Sequence, residues 1–161
     1  LQTFLPYESF QESAKCLDYR RLGKQRVEAY QIIRILTNST KSNAWKNHPA
    51  VLMWRGYVPY LIKYYDTIVK EWVSRGYKNN MPYLGCSNPQ YYIALKPSWL
   101  GDKRFHDSHK ANLMRKNALY YSQYKDFWGL DPNMPYYWPT NPRKYNEWEQ
   151  NNNRFSPITI N

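Results

Sequence analysis

The chain has 161 residues, the length of one ordinary domain, and its 42% hydrophobic and 22% charged content is that of a soluble globular protein rather than a transmembrane one. Lys and Arg number 23 against 12 Asp and Glu, a net charge of +11 that points to a polyanionic partner, with nucleic acid the first candidate. Two cysteines, Cys16 and Cys86, are too few for a disulfide framework and form no Cys-x-x-Cys pair, so both are expected to be buried free thiols.

In chain order, the opening Leu1-Gln2-Thr3-Phe4-Leu5-Pro6-Tyr7 has neither a basic start nor a long apolar run, so no secretory signal is read there. Ala29, Ile32, Ile33 and Leu36 repeat at helical spacing and predict a helix over about Ser9 to Leu36, with Gly23 a point of interruption. Asn47-His48-Pro49 reads as the start of a short helix. Leu61, Tyr65, Ile68 and Trp72 predict a helix from Pro59, closed by Arg75 and a left-handed Gly76. Residues 77–102, broken by Pro82, Gly85, Pro89, Pro97 and Gly101, are expected to be mostly loop, with Tyr91 to Leu95 pairing briefly or making one turn. A third helix is predicted over Lys103 to Ala118, extending at most through Tyr121. Five prolines from Pro132 to Pro157 make residues 122–161 read as irregular. The expected class is all-α, a compact single-domain helical fold with long irregular aromatic-rich loops: residues 1–140 form the domain and 141–161 a tail.

On the first helix Arg20, Lys24 and Glu28 fall at successive i+4 steps, and Arg21 shares a face with Gln25 and Glu28. Such a face can hold phosphate clamps around a carboxylate, or be an ordinary solvated stripe. His106 and His109, one turn apart among Lys103, Arg104, Lys110, Arg115 and Lys116, suit hydrogen bonds to phosphate or base, with capped or core imidazoles the other reading. No carboxylate or thiolate is arranged to complete a metal set with them and His48, so no metal is expected. Trp54, Tyr57 and Trp138 are rings able to stack on a base, though core filling is the stronger reading of such rings.

Several blocks then stand in a specific order: Thr3-Phe4-Leu5-Pro6-Tyr7, Leu17-Asp18-Tyr19-Arg20-Arg21-Leu22-Gly23-Lys24-Gln25-Arg26-Val27-Glu28-Ala29, and Asn47-His48-Pro49-Ala50 with Met53-Trp54-Arg55-Gly56-Tyr57. His106-x-x-His109, Leu113-x-Arg115-Lys116, Tyr120-Tyr121 and Tyr136-Tyr137-Trp138-Pro139 follow. Over about residues 1–140 the sequence resembles the pyrimidine-dimer DNA glycosylases of the phage endonuclease V type. The resemblance implies a compact helical fold, cleavage of the glycosyl bond at a UV-induced pyrimidine dimer, and β-elimination of the strand. It also implies a free N-terminal α-amine as nucleophile, assisted by a glutamate on the first long helix, with no cofactor. An α-amine suits this because it titrates much closer to neutrality than a lysine.

The sequence departs from the phage-type pattern at two points: it starts Leu1-Gln2-Thr3 rather than with a small residue and Arg, and Arg21 follows Tyr19-Arg20 where that pattern has the glutamate. The expected catalytic groups are therefore the Leu1 amine, where it is the mature N-terminus, and Glu28, two turns along the face of Arg21. The expected DNA contacts are Arg20, Arg21, Lys24, Arg26, His48, His106, His109, Arg115 and Lys116. Double-stranded DNA is the expected partner of a monomeric, intracellular protein, whether cytoplasmic, nucleoid-associated or viral. A non-catalytic DNA- or RNA-binding or genome-packaging protein on the same scaffold is the alternative.

Overall fold

The computed structural model describes residues 1–41, 44–85 and 95–139 and places six helices, and no strand, among them. All-α is therefore the observed class. Ser9 takes the Glu12 N–H on its hydroxyl at 3.2 Å and starts α1 (Phe10–Cys16). The single helix expected from Ser9 to Leu36 is broken at Leu17 and Asp18, both extended, and resumes as α2 (Tyr19–Leu36). The Tyr121 hydroxyl accepts the Asp18 N–H at 3.0 Å and donates to its carboxylate at 2.6 Å, so a ring 103 residues away holds the break. Gly23 does not interrupt α2. A Cβ there would lie 3.0 Å from the Trp72 ring, so the glycine lets that indole lie against the helix.

His48 caps the four-residue α3 (Pro49–Leu52) by accepting the Ala50 N–H on Nδ1 at 3.0 Å. The apolar repeat after Pro59 forms α4 (Val58–Ser74), which ends at Arg75 and at Gly76 with φ +87°, as its sequence predicts. Residues 77–85 are without helix, and 95–102 hold only a turn, in keeping with a loop; Tyr91 to Ala94 and Cys86 lie outside the described residues. Cys16 is a buried free thiol, pushed up to about 12 by burial.

The last expected helix is in fact two, α5 (Lys103–Lys116) and α6 (Ala118–Trp128). Asn117 leaves helical geometry, and its side chain accepts the Tyr120 N–H at 3.1 Å, ending one helix and capping the next. Residues 122–128, expected to be irregular, therefore continue α6; the tail at 141–161 lies outside the described residues.

α2 and α1 pack on α4, α3 on α2, and α5 on α6. Trp54, Tyr64, Tyr65, Tyr121 and Phe105 are fully buried between them, and Tyr57 nearly so, which makes Trp54 and Tyr57 core rings rather than platforms for a base. No described helix is long and apolar enough to cross a membrane. Gln2, Thr3, Phe4 and Leu5 form a buried, helix-free strip among these helices, and it is this strip that builds the site.

Candidate active site at the N-terminal strip

Burying Phe4 and Leu5 contributes about 1.5–3 kcal/mol each, against roughly 1–2 kcal/mol of backbone entropy per ordered residue. Apolar burial is non-directional and leaves the register of the strip open. Hydrogen bonds from three helices set it. On α2, Gln25 accepts the Phe4 N–H on Oε1 at 2.9 Å and donates from Nε2 to the Gln2 carbonyl at 2.9 Å. On α4, the Tyr64 hydroxyl lies 2.8 Å from the Phe4 carbonyl and 2.7 Å from Gln25 Oε1. The Trp54 indole donates to Thr3 Oγ1 at 3.0 Å.

On α5, His109 Nδ1 accepts the Leu5 N–H at 2.9 Å, and His106 Nδ1 donates to the Leu5 carbonyl at 2.7 Å. His106 Nε2 accepts the Gly101 N–H at 2.9 Å, which fixes the tautomer in which Nδ1 carries the proton. Both imidazoles are buried and both are shifted toward the neutral form, chiefly by loss of solvent; His109 is lowered to about 3. The expectation that this pair contacts phosphate or base is thus corrected: one turn of α5 clamps both polar groups of a single peptide residue. No three His, Cys, Asp or Glu side chains converge as a metal site among the described residues.

The charge on the Leu1 nitrogen at the head of the strip acts electrostatically on Glu28. Half-buried Glu28 accepts a hydrogen bond from Gln25 Nε2 at 3.0 Å. Burial raises its carboxyl above the ordinary range, and the amine is the strongest of the charges that oppose the shift, ahead of Lys24, Arg21 and Lys116. The amine also helps depress the His48 imidazole, whose main cause is again burial. Lys116 is lowered by burial and by Arg21, so the cations crowd one another as well as the carboxyl. Arg21, Lys24 and Lys116 are in no salt bridge among the described residues.

An aromatic wall flanks the strip. Tyr136 sits 5.6 Å from the His109 ring and 5.5 Å from Trp138; Trp138 meets His48 edge-on at 6.0 Å, and His48 meets Trp45 at 5.4 Å. Trp45 is half exposed and holds φ +68°, a left-handed backbone that a bulky residue rarely adopts. Of the expected DNA contacts, Arg21, Lys24 and Lys116 act electrostatically on Glu28, and His48 feels the charge at Leu1. Arg20 is exposed but turns to the Tyr19 hydroxyl at 3.1 Å. Arg26 is withdrawn from the site: it lies 4.2 Å over the Trp72 ring and donates to Asn79 at 2.7 Å, because two positions along a helix is the opposite side from Glu28. Arg115 binds the carbonyls of Pro132 and Met134 and the Asn112 side chain, organising the turn before Tyr136. Nothing in the sequence marks Tyr64 for the site, nor assigns Gln25 or Tyr136 a part in it; for Gln25 the signal is an amide among the buried apolar residues of α2.

No curated protein and no solved structure matches the chain. The sequence model of the pyrimidine dimer DNA glycosylases matches residues 1–84, just over half of the 161 residues, a span that contains the strip, α1 to α4, Gln25 and Glu28. The chain belongs to the pyrimidine dimer DNA glycosylase family.

Proposed function

We propose that the protein is a DNA glycosylase with β-elimination lyase activity, acting as a monomer on UV-damaged double-stranded DNA through Glu28 and, where Leu1 is the mature N-terminus, the Leu1 amine. The observation that carries the reading is that Gln25 bonds both the Glu28 carboxylate and the strip that bears the amine. The neutral amine adds to the sugar C1′ as the bond from C1′ to the base nitrogen breaks, and the base leaves with that electron pair and takes up a proton. The nitrogen sheds one proton, and its lone pair then expels the ring oxygen, which leaves with the C1′–O4′ electrons and takes up a proton, so that an iminium joins the amine to C1′. Removal of a C2′ proton then expels the 3′ phosphate with the C3′–O electrons, and water hydrolyses the imine to return the amine.

Glu28 exchanges the protons in this sequence, a task favoured by a carboxyl that burial has raised toward the working pH. Arg21, Lys24 and Lys116 hold phosphates on either side, and Trp45 and Trp138 offer flat faces to a displaced base, whose extrusion costs least at a lesion that already stacks badly. The amine itself forms the covalent intermediate, so the scheme calls on no metal or cofactor.

Incubation with irradiated and undamaged supercoiled plasmid, with borohydride in a parallel sample, tests this. Nicking of irradiated plasmid alone, with a reduced adduct mapping to the N-terminal residue, is the expected result. Retardation of both plasmids with neither nick nor adduct would make the chain a DNA binder on this scaffold.

A further inference from the structure

The Gln25 side chain has one amide and four partners. Its oxygen accepts from the Phe4 N–H and lies 2.7 Å from the Tyr64 hydroxyl; its nitrogen donates to the Gln2 carbonyl and to Glu28 Oε2. Turning the amide over would set N–H against the Phe4 N–H, and oxygen against both a carbonyl and a carboxylate, so only one orientation is satisfied. The residue is fully buried, which makes each of those mismatches costly. Around Thr3 it bonds the carbonyl of the residue before and the N–H of the residue after, as the peptide of a neighbouring strand would. The strip thus gains on a helix the register that a sheet would otherwise give it.

We propose that Gln25 is the positioning residue of this site: its amide sets the register of the N-terminal strip and, with the same nitrogen, aims the Glu28 carboxylate at the amine. The function of that placement rests on the amine and Glu28 reading given above. A strip displaced by one residue moves its end by about 3.3 Å, the rise of an extended residue. Since misplacement by about 1 Å can cost on the order of a hundredfold in rate, one slipped residue is enough to disable the site.

The test compares Gln25→Glu and Gln25→Met with the parent protein and with Leu36→Ala. Leu36 is a buried residue at the far end of α2, ~16 Å from Gln25 at 1.5 Å per residue, and its truncation controls for lost stability. Single-turnover strand cleavage is followed on a duplex with a preformed abasic site, across pH, beside hydrogen exchange of the peptide spanning residues 1–7. Gln25→Met is expected to lose the protection of Phe4 and to cleave about a hundredfold more slowly with duplex affinity within about threefold. Gln25→Glu keeps the oxygen that faces Phe4 but sets a second carboxylate against Glu28, so the acid limb of its pH–rate profile is expected to move upward by about one unit. Leu36→Ala is expected to melt earlier and keep the parent profile.

Unchanged Phe4 exchange in both Gln25 variants, or rates that fall only with the folded fraction and keep the parent pH profile, would overturn the assignment. If the parent protein neither cleaves nor forms an adduct, the glycosylase reading fails by itself, and the exchange data still decide whether Gln25 sets the register.

Discussion

Two sides of α2 carry the same kind of charge for different ends. Arg26 faces away from the strip, stacked on Trp72 and bonded to Asn79, and behaves as a structural cation that joins α2 to α4 and to the loop beyond it. Arg21 and Lys24 lie on the other side with Lys116 of α5, close to a half-buried carboxyl and engaged in no salt bridge among the described residues. Composition counts these cations alike. A cation already seated on an aromatic face and an amide oxygen has little left to offer a phosphate, whereas cations crowded about one buried acid keep their field for a ligand.

The contrast is broken most severely at Glu28. Glu28→Gln is expected to slow strand cleavage by about 10²- to 10⁴-fold, the range of a lost general acid–base, with DNA affinity kept within a few-fold; plasmid nicking beside a gel-shift titration reads both. Because burial raises this carboxyl in the folded state, its contribution to stability is present below the ordinary carboxyl range and lost as pH rises through the folded value. The substitution is therefore expected to leave the melting temperature at pH 7.5 unchanged or higher. A lower melt with full cleavage would assign Glu28 to the scaffold.

Lys116→Ala should weaken binding to damaged and undamaged duplex alike and lower the slope of log affinity against log salt by about one; an unchanged slope would take Lys116 out of the interface. At the clamp, His109 is lowered to about 3 by burial, so its contribution to stability is present above the unfolded value of about 6.5 and is lost as pH falls from there toward 3. Denaturant titrations of His109→Gln should show a less stable protein at pH 7.5 with a flatter decline between about pH 6.5 and 4.5, since one of the two buried imidazoles no longer titrates. Arg26→Ala is the mildest change. It should cost about 1–2 kcal/mol of stability through the lost ring contact and hydrogen bond, with cleavage and duplex affinity within about twofold.

What could be read from sequence follows from how local its cause is. The start of α3, the course of α4 with its glycine stop, and the face shared by Arg21, Gln25 and Glu28 all follow from spacing along one helix. The break at Leu17 and Asp18 does not, because its determinant is the Tyr121 hydroxyl on α6. Nor does the role of His106 and His109, since their partner is a peptide group 101 and 104 residues away and nothing in the spacing of two histidines tells a backbone clamp from a phosphate contact. At Asn117 the deciding fact was local, a side chain that caps the following helix, but a continuous apolar pattern hides it.

The clamp on Leu5 also fixes an order of events in folding. Leu5 is held by the Nδ1 atoms of His106 and His109, 101 and 104 residues further along, so this anchor of the strip forms only after α5 exists. Contacts this distant in sequence close late, after the loop entropy between them has been met. A nascent or truncated chain that ends before α5 can form the α2 and α4 pair, with Gln25 and Tyr64 in reach of Gln2 and Phe4, yet leaves both polar groups of Leu5 without their imidazole partners.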